Sequence, residues 1–202
     1  MTMPDPRAFQ ARVVGILTHP ADEWPRIAGE RTEVQTLMLG YVAPLAAIPA
    51  ICRWIGLSLI GWWLPIVGTY RVGIVSGLLA AIVSWIFSLA AVYIAGIVIE
   101  RLAPTFGSTG GLIAALKLVA YASTPVWLVG VLNLVPVFVP LTLLAALYGA
   151  YLFSVGLPPV MRTPETQVVP YMFIATIVTI VIFLALGLVA GRLAGIGGYP
   201  IV

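Results

Sequence analysis

LVAYASTPVWLVGVLNLVPVFVPLTLLAALYGAYLFSVGLPPVM, residues Leu118 to Met161, contains no Asp, Glu, Lys or Arg. As one helix rising about 1.5 Å per residue it would reach roughly 65 Å, twice the ~30 Å hydrocarbon core of a bilayer. The stretch therefore folds back on itself. Asn133, Pro136 and Pro140 sit near its middle. Proline lacks an N–H and turns the preceding residue away from helix, which places the turn at Val135–Pro140. Two packed membrane spans follow from this one reading.

The rest of the chain has the same character. Of 202 residues, 61% are hydrophobic and 8% charged, where soluble domains average about 25% charged. A soluble protein of this size could not hide so much apolar surface. The apolar runs are continuous rather than alternating, which excludes a β-barrel. The expected fold is all-α: a polytopic membrane protein, a five-transmembrane-helix bundle with a short amphipathic N-terminal helical segment. The spans are read at 34–60, 72–99, 111–135, 137–157 and 168–191. Residues 1–33 form a cytoplasmic or interfacial segment, 34–195 the membrane domain and 196–202 a tail.

The net charge of +3 rests on few charges and gives no ground for nucleic-acid binding. One cysteine, Cys52, leaves no internal disulfide or cysteine-based metal cluster. Lys117 is the single lysine among ten basic residues. That usage, with abundant Ala, Gly and Val, points to a bacterium of high GC content. No apolar h-region with a cleavage site occurs in the first 30 residues, so the first span is expected to act as the insertion signal.

Asp5-Pro6 reads as a helix start. Phe9, Val13, Ile16 and Leu17 then form one apolar stripe, with Arg7, Gln10 and Arg12 off it. Such a helix either lies in the headgroup plane, arginines toward anionic lipid, or packs its stripe on the protein's own spans. His19-Pro20 ends it. A second short helix is expected, with Asp22 and Glu23 in its first turn, Arg26 and Glu30 at i, i+4, and Trp24 at the membrane–water boundary. Phe9, Arg7, Arg12 and Trp24 are thus the candidate lipid-interface residues.

Pro44 and Pro49 should kink the first span. Arg53, near its far end, is read as a snorkelling arginine beside Trp54. Trp62, Trp63 and Tyr70 mark an interfacial connection. Gly73 and Gly77, and later Gly187, Gly191 and Gly195, are spaced for close helix packing. In the glycine-rich loop after the second span, Ser108 or Thr109 is the expected N-cap of the third. Lys117 either snorkels or pairs with Glu100 across that loop; a structural ion pair, Glu100–Lys117, is the preferred reading. Pro125 should break the third span, with Ser123 and Thr124 meeting the freed backbone groups. Gly156-Leu-Pro-Pro should stop the fourth.

Arg7, Arg12, Arg26, Arg31, Arg101, Lys117 and Arg162 fall on the N-terminal side, and Arg53, Arg71 and Arg192 on the other. Seven against three puts the N-terminus in the cytoplasm and the C-terminus outside, in a bacterial inner membrane. No nucleophile–base set lies within the spans, and no ionisable group lies at their midplane. Neither enzyme activity nor a cofactor is expected.

ALKLVAYASTPVWLVGVLNLVP (Ala115–Pro136), LYGAYLFSVGLPPVMRTPE (Leu147–Glu165) and ILTHPADEWPRIAGE (Ile16–Glu30) resemble the Yip domain family (Ypt-interacting protein), in its bacterial branch. The matching residues, Tyr121, Pro125, Pro136, Tyr148, Gly149, Gly156 and Leu157, are turn, packing and boundary residues rather than a catalytic signature. The resemblance implies five spans behind a Pro-x-x-x-Trp helix, and a membrane scaffold. The eukaryotic members' Rab-type GTPase binding is not carried over, because the acidic, aromatic N-terminal motif and Gly-Tyr-Gly loop of that role are not evident here. The expected function is a non-enzymatic, partner-binding or membrane-organising protein. Its partners are the lipid bilayer and either a second copy or an unidentified membrane protein. The alternative is a passive transporter or channel whose cavity is lined by Ser123, Thr124 and Asn133.

Overall fold

The computed structural model describes residues 6–64, 68–135, 138 and 141–193. Asp5, the prolines at 136 and 140, Gly195 and the tail at 196–202 lie outside them, so the expectations placed there do too. Two short helices, α1 (Pro6–Thr18) and α2 (Pro20–Gly29), precede five helices long and apolar enough to cross a membrane. These are α3 (Val34–Ile60), α4 (Ile74–Phe106), α5 (Leu112–Leu134), α6 (Leu141–Met161) and α7 (Glu165–Leu193). Between α3 and α4, β1 (Trp62–Leu64) pairs antiparallel with β2 (Gly68–Tyr70).

Contacts fix the direction of each span. The end of α3 meets the end of α5, where the Asn133 carbonyl would lie 2.4 Å from a Cβ built on Gly56. The end of α4 meets the start of α7 through a Tyr171 hydroxyl donating to the Ile99 carbonyl at 2.6 Å and a Phe106–Tyr171 stack at 4.5 Å. The end of α6 meets α2, with Gly156 against Trp24. Helices α3, α5 and α7 therefore run away from the N-terminal helices, and α4 and α6 run back toward them.

The prolines shape two of these helices. A wide π-turn, Met38–Val42, precedes Pro44, and a second, Gly56–Ile60, ends α3. The wider turn relieves the clash between a proline ring and the carbonyl four residues back. Helix α5 breaks at Ser123, restarts as Thr124–Val129 with Pro125 in its first turn, and tightens into 3-10 geometry over Gly130–Leu134. Pro49 and the break meet: a Cβ on Gly130 would lie 2.6 Å from Pro49 Cβ. Helix α5 is the centre of the bundle, with 61% of its most apolar window buried, against 6% for α7 at the periphery.

Three local expectations are corrected. The fourth span does not stop at Gly156-Leu-Pro-Pro but continues to Met161. Its actual stop is Arg162 at φ 53°, and the Met161 carbonyl accepts from Thr109 N–H (3.1 Å) and Gly110 N–H (3.2 Å) of the neighbouring loop. The residue before α5 is Gly111, without a side-chain cap, while Ser108 Oγ lies 2.8 Å from Thr163 Oγ1 and ties the two loops together. Gly187 is not a close-packing residue among the described residues, since an added Cβ meets nothing within 4 Å.

Gly56 is the opposite case. Its missing Cβ is confronted by backbone, Asn133 O at 2.4 Å and Leu134 O at 2.9 Å, which cannot rotate away. Gly56→Ala is expected to lower stability by about 1–3 kcal/mol through overpacking, while Gly187→Ala does not lower it. Thermal unfolding in detergent, comparing the two variants with the wild type, checks this.

Candidate functional site

The polar side chains of the described residues concentrate where α1 and α2 close one end of the bundle. The apolar stripe of α1 turns inward: Ile16 is fully buried, and Phe9, Val13 and Leu17 pack against the core. In α2, Trp24 and Ile27 are fully buried. The Trp24 ring meets Tyr121 edge-on at 6.2 Å and rests over Gly156, where a Cβ would lie 2.7 Å from the indole. The cap is therefore a packed layer of the protein. The lipid-interface assignment of Phe9, Arg12 and Trp24 is corrected accordingly; Arg7 is exposed. An apolar stripe with the ends of its own spans within reach is drier there than in a headgroup layer.

Charge fastens this layer. Arg12 forms ion pairs with both Glu23 and Glu30, and its guanidinium lies 5.9 Å from the Tyr121 ring centroid. Burial by itself would lower the Arg12 pKa; the charges of Glu30 and Glu23 and the Tyr121 ring outweigh it, and the pKa is raised. Glu23 is buried, and Arg26 approaches it at 3.4 Å. Gly15 leaves room for that carboxylate, since a Cβ would sit 3.0 Å from Glu23 Cδ. The expected Arg26–Glu30 pair is thus replaced by Arg26–Glu23 and Arg12–Glu30.

Lys117, 4% exposed, enters from α5 below. Its ammonium donates to the Ile27 carbonyl at 2.8 Å and to the Glu30 carbonyl. These are carbonyls at the end of α2, where a helix leaves acceptors unpaired and where positive charge is favoured. The expected Glu100–Lys117 ion pair is corrected: Lys117 serves as a C-terminal cap for α2. Beneath it, Tyr41 and Tyr121 pack at 4.5 Å, Phe9 approaches Tyr41 at 5.6 Å, and the Tyr41 hydroxyl lies 2.8 Å from Thr124 Oγ1. Tyr148 donates to the Leu17 carbonyl at 2.7 Å and secures the end of α1. Above the network, a cleft of about 420 Å³ opens between α1 and α2, with exposed His19, Asp22 and Arg26 on its rim.

The three residues read as a cavity lining are in three different places. Thr124 is fully buried and engaged with Tyr41. Ser123 faces a mostly apolar cleft of about 290 Å³ between α5, α6 and α7, shared with Thr176 and Thr179. Asn133 lies at the other end of α5, beside Gly56. Sequence reasoning missed the Arg12–Glu23–Glu30 cluster, whose members are 11 and 18 residues apart on two helices. The available signal was the density of acids around Trp24 on an otherwise apolar chain.

With this arrangement in view, comparison with known proteins is decisive. The Yip1 domain family model matches residues 14–188. The chain belongs to the Yip1 domain family. The matched region of this Yip1 protein takes in the last five residues of α1, all of α2 and nearly the whole bundle, so α2 and the last turn of α1 belong to the domain. The chain is 29% identical over 151 residues to the inner membrane protein YohC of Escherichia coli K12, covering 73% of this chain and 77% of that protein. YohC of Escherichia coli O6:H1 matches with the same figures. No solved structure matches. The chain is a membrane protein of the Yip family.

Proposed function

We propose that this Yip1 protein is a non-enzymatic scaffold of the bacterial cytoplasmic membrane, with its cap in the cytosol, its C-terminus outside, and the cleft between α1 and α2 as a partner-docking surface. The observation that carries this reading is the engagement of the cap's charges. Arg12, Glu23, Glu30 and Lys117 hold two polar helices to one end of the bundle, and the exposed His19, Asp22 and Arg26 are left at the rim of a mixed-charge cleft. A rigid polar platform suits recognition of a protein segment. The orientation is supported by the seven-to-three distribution of basic residues.

Photo-crosslinkers at the exposed positions Ala8 and Ala28 are expected to give one adduct of discrete mass in native membranes, while a crosslinker at lipid-facing Leu184 gives none. An adduct of twice the chain's mass would identify the partner as a second copy. Periplasmic reporter activity at the C-terminus, and its absence at the N-terminus, tests the orientation. Solute flux in proteoliposomes that Ser123→Leu or Asn133→Leu abolishes would replace the scaffold with a passive pore.

A further inference from the structure

In the half of the bundle away from the cap, a cleft of about 270 Å³ lies between α3, α4 and α7, lined among others by the exposed Arg53 and by Ser84, Ser88, Phe183, Gly187 and Gly191. Arg53 stands about seven residues, or ~10 Å, short of the end of α3. It has no hydrogen-bond or ion-pair partner among the described residues. Nor has Ser88 Oγ, a fully enclosed hydroxyl oxygen. Gly187 has open space where a side chain would stand. The site thus combines an unpaired cation, an unpaired hydroxyl and unfilled volume.

Among the described residues no acidic side chain is in reach to supply the missing anion. After Glu33 the only acids are Glu100 and Glu165. Glu100 is about 24 Å along α4 from Ser84, and Glu165 about 33 Å along α7 from Gly187, both toward the cap. A guanidinium in a membrane span is stabilised by pairing or by reaching the headgroup layer, and its fork of donors matches phosphate oxygens. We propose that Arg53, with Ser88 and the neighbouring Ser84, binds a phosphate-type oxyanion in this cleft. Two sources offer that chemistry: the headgroup phosphate of a phospholipid and free inorganic phosphate.

Native mass spectrometry of the full chain in detergent, titrated with phosphatidylglycerol, tests the site. The wild type is expected to retain one lipid that Arg53→Gln binds about tenfold or more weakly. Arg53→Lys should fall between them, as a point charge without the fork. Gly187→Leu, which fills the cleft and leaves Arg53 in place, should weaken retention as well. In a second arm, inorganic phosphate is added without lipid and thermal unfolding is followed. A rise in Tm that Arg53→Gln abolishes assigns the site to free phosphate; no rise assigns it to lipid. Equal lipid retention by wild type and Arg53→Gln, with no phosphate effect, overturns the proposal. Should Arg53→Gln fail to fold, wild-type retention by Gly187→Leu overturns it, and weakened retention upholds it.

Discussion

Trp24→Ala is expected to loosen the cap by about 3–5 kcal/mol, the range for emptying a buried aromatic site. Trp24 is fully enclosed. Gly156 is held free of a side chain against it, and Tyr121 and Leu118 complete the walls. None of these neighbours can collapse into the space, because each belongs to a span packed elsewhere. The loss should appear in the cap rather than in the bundle. The residue lies in α2, outside the five spans, whose insertion does not depend on it. Limited trypsin digestion in detergent reads the difference, since Arg26 and Arg31 flank the site. The variant should be cut there far faster than wild type, while a fragment containing α3 to α7 persists. Trp24→Phe should restore most of the resistance: the unpartnered indole N–H contributes no hydrogen bond that phenylalanine would lose. Equal digestion rates for wild type and Trp24→Ala would show that the indole does not hold the cap down.

The difference between what was and was not legible in the sequence has a physical basis. Span number is an outcome of length: an apolar run of more than about 20 residues has no other stable solvent than lipid. The π-turn before Pro44 in α3 and the break before Pro125 in α5 follow from the proline ring and its missing N–H and needed no tertiary information. Lys117 is different. Sequence proximity offers Glu100 on the other side of a loop, but the acceptors that take the ammonium are carbonyls of Ile27 and Glu30, 90 and 87 residues away. Their demand exists because α2 ends there, and no residue pattern around Lys117 records it. Trp24 misled for a related reason. Tryptophan near a span suits the headgroup layer, and only the groove beside Gly156 makes the interior the better place. The expected cavity-lining residues separate for the same cause: Ser123 and Thr124 are adjacent in sequence, yet the break in α5 sends one to a cleft and the other to Tyr41.

The second large effect is electrostatic. Arg12→Leu removes the one cation bridging both carboxylates and leaves Glu23, 8% exposed, with only Arg26 beside it at 3.4 Å. Breaking a buried pair from one side costs about 3–5 kcal/mol. The lower figure applies here, because the Glu30 side chain is 41% exposed and Arg26 remains. The informative experiment is the cycle with Glu23→Leu. If the two groups are coupled, the double variant recovers much of what Arg12→Leu loses, because an apolar pair in place of a buried ion pair is close to neutral. The single losses should then exceed the double loss by more than about 1 kcal/mol. Arg12→Lys should fall between wild type and Arg12→Leu, since a lysine keeps the charge but not the fork that reaches two carboxylates at once. Thermal unfolding in detergent measures all five stabilities. Strict additivity would mean that apolar packing under Trp24 alone seats the cap, and the charges above it would then be free to serve the docking proposed for the cleft between α1 and α2.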